Sequence, residues 1–520
     1  MIDALRITVP CEQLMRLLAE LVAQKANRGD MITLRGDLGA GKTTFARYLI
    51  RSLLGSDEAE VPSPTFTLVQ SYDTARFEVR HFDLYRISGP DELDELGFHE
   101  TNDCLTLVEW PERAEGHLGT SRFDILIEDT MDDAATVRQV TITATEIAQF
   151  RLNRLAAADE FLRAHFSAAD LGGIRIAYLQ GDASTRGYAR IKEGTGSRLL
   201  MDMPKMPDGP IIRDGKSYSE IAHLAEDARP FVAIARELRK AGLSAPRIDA
   251  FDAARGMALI EDLGDAVFAS AMASGVPQAE LWQAAADVLV HLRCHPAPVV
   301  AGTECDVAHP IPAYDADVMH AELDLLPEWY WPHANGRAIA DDERARFHHV
   351  WAPFIAEVAT SPANPATRAW VLRDFHSPNL IWLPDRTGIA RIGVIDFQDA
   401  QIGHPAYDLV SLALDARLDV PRALHDALID QYCTAAARMD AEFDGDAFRR
   451  AAAILGAQRN TKILGIFTRL SARDGKHGYL RHIPRIKQYL GWCLEHPELA
   501  PLRSWYDQSL QDARERPDLN

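Results

Sequence analysis

Apolar and polar positions along the chain change their period several times, and each change predicts an element. The run "MITLR" at 31–35 is short and almost wholly apolar, as a buried strand is. A glycine-rich loop over Gly36–Thr43 follows, and then "TFARYLIRSLL", whose apolar residues recur at helical spacing. Five further runs have strand length and strand composition: "FTLVQSYD", "RFEVRHFDLY", "LTLVEW", "FDILIED" and "VRQVTITAT". The chain to about residue 146 therefore reads as mostly strand with few helices. "EIAQFRLNRLAAADEFLRAHF" is helical in pattern and marks a join. A second strand-rich segment covers about 174–265, interrupted by one helix, "YSEIAHLAEDARPFVAIARELRKAG". From about 268 onward the pattern is mainly helical, with two hairpin-like strands around 379–396. A small mixed lobe followed by a large helical lobe suits a bilobal kinase-like fold. The expected domains are 1–150, 151–266 and 267–520.

Bulk properties narrow the classes. A chain of 520 residues has room for about three compact units. Its 47% hydrophobic and 25% charged content is that of an ordinary globular protein. A net charge of −21 argues against strong direct nucleic-acid binding. No run approaches the ~20 apolar residues of a membrane span, and "MIDALRITVP" lacks the layout of a signal peptide. The six cysteines are scattered without CxxC pairs or zinc spacing. These features lead us to expect a cytoplasmic protein with reduced thiols and no membrane contact.

Two stretches carry phosphate chemistry. "GDLGAGKT" fits G-x-x-x-x-G-K-[ST], with a strand before it and a helix after it. Gly36, Gly39 and Gly41 let backbone N–H groups turn inward at a helix N-terminus, with Thr44 also in the cradle. Lys42 is expected to reach the β- and γ-phosphates of ATP, and Thr43 to ligate Mg2+. Glu109, at the end of "CLTLVE", is the candidate for the second magnesium-side group. Thr65 lies in the proline-flanked loop "PSPTFT" and is a candidate γ-phosphate sensor. Asp83, in "HFDLYR", is a candidate to orient water or magnesium.

The second stretch is "LRDFHSPNL". Asp374 stands where a catalytic base belongs and Asn379, five residues on, where a metal ligand belongs. Asp396, ending "RIGVID", matches the metal-binding Asp of the kinase template. Asp408 is expected to support the catalytic loop or cap the next helix. Upstream, "LQGDASTRGYARI" reads as strand–turn–strand covering phosphates, with Ser184 and backbone N–H groups as donors. "ALIEDLG", with Glu261, fits the hinge where backbone groups read adenine. The lysine of the template is missing: Asp202 sits in its place, and Arg186, Arg190 or Lys205 remain open as substitutes, with Glu220 as a possible but more simply solvated partner.

The set GDLGAGKT, PSPTFT, HFDLYRI, ELGF and LVEWPER, in this order over residues 1–150, resembles the TsaE family, bacterial ATPases of tRNA N6-threonylcarbamoyladenosine biosynthesis. The resemblance implies an α/β P-loop NTPase fold, a TsaB–TsaD pair as partners, hydrolytic roles for Thr65 and Asp83, and Trp110 beside the nucleotide. GDASTRGY, LLMDMP, EDLGD, ELDLLPEWY, LRDFHSPNL, VIDFQDA, GHPAYDL and "KILGIFTRLSARDGKHGYL", spanning about 155–490, resemble the aminoglycoside phosphotransferase-like superfamily, and within it the AmgK-type sugar kinases. That likeness implies an α+β bilobal protein-kinase-like fold, a missing lysine shared by the group, and ATP- and Mg2+-dependent phosphorylation of the anomeric hydroxyl of N-acetylmuramate or N-acetylglucosamine in cell-wall recycling. Muramate carries a carboxylate, which calls for a basic or N–H-rich pocket. Arg459, Lys462 and Arg469 fall at roughly helical spacing, as a basic pocket or as a solvated face, and Arg473 and Lys476 follow. Trp329 and Trp331 read as core before sugar platform, and His348–His349 as an exposed helix face before metal ligands. The alternatives are another small alcohol as acceptor, such as an aminoglycoside or choline, or a pseudokinase scaffold for the tRNA-modification proteins.

Overall fold

The computed structural model describes residues 2–89, 91–99, 103–130, 137–179, 186–206, 209, 211–213, 215–303, 307–360 and 368–510. Ser184 lies outside the described residues. The chain divides into two compact units, Met1–Pro204 with Asp249–Asp262, and Lys205–Ile248 with Leu263–Asn520. This is a division by packing; that 1–150, 151–266 and 267–520 are separate domains stays a proposal.

The first unit runs β1 (Leu5–Val9), α1 (Glu12–Lys25), β2 (Met31–Arg35), α2 (Lys42–Leu54), β3 (Val69–Asp73), β4 (Glu78–Asp83), α3 (Asp91–Glu95), β5 (Cys104–Glu109), β6 (Arg122–Asp129), β7 (Arg138–Ala144), α4 (Gln149–His165), α5 (Ala168–Gly173), β8 (Arg175–Leu179), β9 (Gly187–Glu193) and β10 (Gly196–Asp202). The strand runs foreseen from the sequence are present, although β3 starts only at Val69, because Leu68 takes a left-handed φ of 65°. β1 to β7 form one sheet in the order β1-β7-β6-β2-β5-β4-β3. Its centre is parallel: β2 pairs with β5 and β6, and β4 with β5. β5 is buried along its whole length, which explains its continuous apolar run. Parallel pairing brings the ends of β2, β4 and β5 to one edge, where the loop 36–41, Asp83 and Glu109 emerge.

A second sheet has the order Ile248–Asp252, Met257–Glu261, β10, β9, β8. One core joins the two sheets. Leu14, Leu17, Leu18 and Leu21 of α1, Phe45 and Leu49 of α2, and Leu152, Leu155 and Phe161 of α4 pack in a cluster with Ile176, Ile191, Leu200 and Leu259 of the second sheet. Each such side chain contributes roughly 1.5–3 kcal/mol by burial. The sequence reading passed over α1. Ten consecutive residues, Leu14–Ala23, are buried there, including Arg16 and Glu20, so no clean polar face betrays the helix.

The charged groups at this seam are paired, although Arg16 Nε is buried without a hydrogen-bond acceptor. Arg16 Nη2 donates to the Gly172 and Ile174 carbonyls (2.9 and 3.0 Å), and Ile176 N–H donates to Glu20 Oε2 (2.7 Å). Asp202 accepts from Lys25 Nζ (2.5 Å) and Arg154 Nε (2.9 Å). It shares the sheet face of Leu200, because side chains alternate along a strand. The residue in the template's lysine position is thus the buried anion of a triad whose half-buried cations come from α1 and α4.

The second unit is mainly helical, as expected. The helix foreseen over 218–242 is two helices, Tyr218–Ala222 and Arg229–Lys240. His223 ends the first with a left-handed φ of 52°, and Pro230 opens the second, where its missing N–H needs no partner. Leu380–Trp382 and Ile392–Val394 form the foreseen antiparallel pair. The longest helix, Gly445–Asp474, is capped by the Asp444 carboxylate and closed by Gly475 at φ 66°. It crosses residue 325 at Gly465 so closely that a Cβ there would lie 2.3 Å from the Leu325 carbonyl oxygen.

Candidate active sites

The first site forms at the edge where β2, β4 and β5 end. A cavity of about 300 Å³ is lined by Gly39, Gly41, Lys42, Thr43, Thr44, Thr65, Asp83, Glu109 and Trp110, with Leu38, Tyr85 and Arg86. Gly36 adjoins it at φ 140°, and a Cβ there would meet the Ile127 carbonyl oxygen at 2.2 Å. Only glycine fits. Lys42 Nζ folds back onto the Gly36 and Asp37 carbonyls (2.8 and 2.9 Å) and lies 3.7 Å from the centre of the Trp110 ring. Burial lowers its pKa, against the pull of Glu109 and other nearby carboxylates. Thr43 Oγ1 donates to Glu109 Oε2 at 2.8 Å, and His81 Nε2 lies 3.0 Å from Glu109 Oε1. Thr65 Oγ1 donates to Asp83 Oδ2 at 2.7 Å and lies 2.6 Å from Ser63 Oγ. Every residue expected here is brought together. His81, Ser63 and Tyr85 were missed; the alternation of "RHFDLY" puts His81 two positions before Asp83, on the same face of β4, which was the available signal.

The second candidate site lies on two loops of the second unit. Arg373 and Asp396 both take left-handed φ, 68° and 63°. For non-glycine residues such backbone is strained and needs outside support. Support comes from Asp408, whose oxygens accept the Leu372 and Arg373 N–H groups (2.6 and 3.0 Å). Burial pushes its pKa up to about 7 despite those two bonds. Asp415 similarly accepts the Ser377 N–H (2.7 Å). The Arg373 guanidinium reaches the Ala222 carbonyl (2.7 Å) and Glu322 Oε1 (2.5 Å). With the backbone so fixed, Asn379 Nδ2 donates to the Asp374 carbonyl (3.0 Å) and to Asp396 Oδ2 (3.2 Å), and Gln398 Nε2 to Asp396 Oδ1 (3.2 Å). The Asp374 side chain is 43% exposed and open to a reactant. Asp374, Asn379 and Asp396 are therefore assembled; Glu322, Asp415 and Gln398 were missed.

Other expectations fare differently. Arg190 Nε is paired with Asp262 Oδ2 (2.6 Å), and Ser197 Oγ donates to the same oxygen (2.7 Å). Arg186 precedes β9, Glu261 ends its strand opposite Arg198, and Lys205 is exposed. Arg186, Arg190 and Glu261 belong to the first unit, Asp374, Asn379 and Asp396 to the second. Glu220 is exposed and closes a capping box with Ser217, so it is no lysine partner. The solvated-face alternative for the long helix fails: Lys462 is paired with Glu322 Oε1 (2.6 Å), Arg459 is buried, and Arg469 lies 5.5 Å from the Tyr218 ring. Trp331 is buried and Trp329 half-buried. His348 pairs with Asp324 (3.0 Å), and among the described residues no three His, Cys, Asp or Glu side chains form a metal cluster. Mg2+ takes one or two protein groups and fills its shell with water and phosphate oxygens. Thr43 with Glu109, and Asn379 with Asp396, are donor pairs of that kind.

Two separate sets of phosphate-handling groups define a nucleotide-dependent phosphoryl-transfer enzyme with two sites. Residues 9–140 match the family model described as "Threonylcarbamoyl adenosine biosynthesis protein TsaE", and residues 175–445 the "Phosphotransferase enzyme family", APH. The chain belongs to both families: it fuses a TsaE ATPase domain to an APH-type kinase. It is 38% identical to an N-acetylmuramate/N-acetylglucosamine kinase of Caulobacter vibrioides over 354 residues, 66% of this chain and 94% of that protein. Identity to the kinase of the same name from Pseudomonas aeruginosa is 33% over 324 residues, 62% of this chain and 84% of that protein. At the other end, 106 residues are 44% identical to the tRNA threonylcarbamoyladenosine biosynthesis protein TsaE of Rickettsia typhi, covering 20% of this chain and 73% of that protein.

Proposed function

We propose that the N-terminal region, about residues 1–150, hydrolyses ATP in support of tRNA N6-threonylcarbamoyladenosine synthesis, working with TsaB–TsaD-type proteins in the cytoplasm. The C-terminal region, about residues 151–520, transfers the γ-phosphoryl group of ATP to the anomeric hydroxyl of N-acetylmuramate or N-acetylglucosamine, giving the sugar 1-phosphate. The observation that carries the kinase reading is the hydrogen-bonded set Asp374–Asn379–Asp396, in which the Asp374 carboxylate stays open. The names of the relatives given above support an amino-sugar acceptor.

Bound Mg2+–ATP supplies the transferable phosphoryl group and neutralises its charge. Asp374 takes the proton of the attacking hydroxyl, a task that suits a carboxylate facing a weak nucleophile. Asn379 and Asp396 would hold the metal, and Asp408 keeps the loop in its strained form. In the N-terminal region, Lys42, held by two carbonyls, would reach phosphate oxygens, Thr43 and Glu109 would hold the metal, and Asp83, which accepts from Thr65, would orient the attacking water.

Radiolabelled ATP with N-acetylmuramate, N-acetylglucosamine, choline and kanamycin tests the acceptor. Transfer to the amino sugars is expected, and transfer only to a cationic alcohol would overturn the reading. Asp374→Asn should abolish sugar phosphorylation and spare the ATPase activity stimulated by TsaB–TsaD; Lys42→Ala should do the reverse.

A further inference from the structure

The long helix Gly445–Asp474 carries three inward cations, and their surroundings differ. Lys462 is neutralised by Glu322 at 2.6 Å. Arg459 is 5% exposed, its Nη1 lacks an acceptor, and its charge is felt by Asp408 and His376 of the catalytic-loop region rather than paired with a carboxylate. Arg469 has no such partner. Among the described residues no carboxylate lies within 4.0 Å of it, and its Nε is buried without a hydrogen-bond acceptor. The acidic groups that act on it from further away are engaged elsewhere: Asp474 with Arg473 at 2.7 Å, and Glu328 4.0 Å from Arg344. A largely buried guanidinium left in this state is costly, and a bound anion relieves the cost.

The setting of Arg469 is built as a binding corner is built. Its guanidinium stands over the Tyr218 ring. One turn earlier, Gly465 lets the Leu325 backbone approach, which brings the turn Leu326–Tyr330 alongside. That turn is a π-helix, a rare form often seen at functional sites, and it carries the half-buried Trp329. Tyr218 opens the short helix that ends at Ala222, whose carbonyl holds Arg373 at 2.7 Å, next to Asp374. The corner is one short helix away from the catalytic loop.

We propose that Arg469 is a specificity-determining residue that pairs with a carboxylate on the acceptor. Of the two amino sugars, N-acetylmuramate has such a group in its lactyl ether and N-acetylglucosamine has none. Arginine binds a carboxylate through two parallel N–H donors, a geometry lysine cannot copy. The inference rests on the amino-sugar reading above.

The test uses the full chain, ATP and both sugars, and reads the ratio of kcat/KM for N-acetylmuramate to that for N-acetylglucosamine. Arg469→Met should lower this ratio roughly ten- to hundredfold, mainly through KM for N-acetylmuramate, as expected for loss of a charge-assisted hydrogen bond. Arg469→Lys should fall between wild type and Arg469→Met. Because both sugars are assayed on the same preparation, a folding defect lowers both rates and leaves the ratio alone. A ratio within about twofold of wild type in Arg469→Met overturns this inference while the amino-sugar reading stands. Failure of the wild-type chain to phosphorylate either sugar overturns that reading, and this inference with it.

Discussion

Glu322 offers the sharpest test of how the kinase loop is held. Its carboxylate is fully buried and takes four donors: Arg373 Nη2 (2.5 Å) and Lys462 Nζ (2.6 Å) on one oxygen, Tyr314 OH (2.6 Å) and Gln458 Nε2 (3.0 Å) on the other. Burial pushes its pKa up, but Lys462 and Arg373 outweigh that and bring it down to about 2. Glu322→Gln keeps the volume and does two kinds of damage. It leaves two buried cations without their anion, and its amide nitrogen points a donor at donors. Removing one partner of a buried pair costs about 3–5 kcal/mol, and with two cations stranded the upper end is expected. For a unit of this size that lowers the melting temperature by roughly 10 °C. Because Arg373 anchors Asp374, kcat of the kinase should fall in the same variant while the P-loop ATPase keeps its rate. Adding Lys462→Met removes one stranded charge and should restore roughly 1–3 kcal/mol, a coupling visible in a double-mutant cycle. The pH dependence has a fixed sign: a depressed carboxylate stabilises above its unfolded value near 4.5, and that stability drains away as pH falls toward about 2. Thermal melts of the four proteins, read separately for each unit, decide the matter. A loss below about 1 kcal/mol in Glu322→Gln would refute the reasoning, since it would mean that water solvates the site.

Three further outcomes are expected. Burial raises Glu20 from an ordinary 4.5 to about 7, so the folded chain holds that proton more tightly and stability should decline as pH rises between those values. In denaturant titrations from pH 4.5 to 8 the decline, on the order of 3 kcal/mol, should vanish in Glu20→Gln; parallel curves would show that burial is not felt. Asp202→Lys installs the residue of the kinase template but faces it with Lys25 and Arg154, so it should destabilise the first unit by roughly 3–5 kcal/mol without tightening ATP binding. A more stable variant would show that the triad is solvated. Gly36→Ala meets the Ile127 carbonyl at a φ of 140° and should weaken nucleotide-analogue binding at the P-loop at least tenfold, with the kinase activity retained. Unchanged binding stoichiometry and affinity would contradict the geometry.

Much was legible because much is local. The P-loop is a contiguous stretch whose glycine spacing and flanking strand and helix specify one backbone shape, so Lys42, Thr43 and the ends of β2 and α2 could be placed from order alone. Asp374, Asn379 and Asp396 keep fixed separations around a hairpin, and that hairpin formed where the pattern put it. The errors came where long-range packing overrides local signal. α1 has no polar face because it is covered on both sides, and the helix over 218–242 breaks at His223, a residue with no strong preference of its own. Arg459, Lys462 and Arg469 have the spacing of a charged surface and are instead buried among different partners.

By itself the sequence determined the two chemistries, since backbone conformation and reactive groups repeat at short, fixed intervals that few other folds tolerate. Only the tertiary structure decided which charges are spoken for. Asp202 is an anchor because Lys25, 177 residues away, reaches it, and Glu322 governs Arg373 across 51 residues. The energy of a charge depends on what surrounds it at a few ångströms, and separation along the chain says nothing of that until the fold has closed.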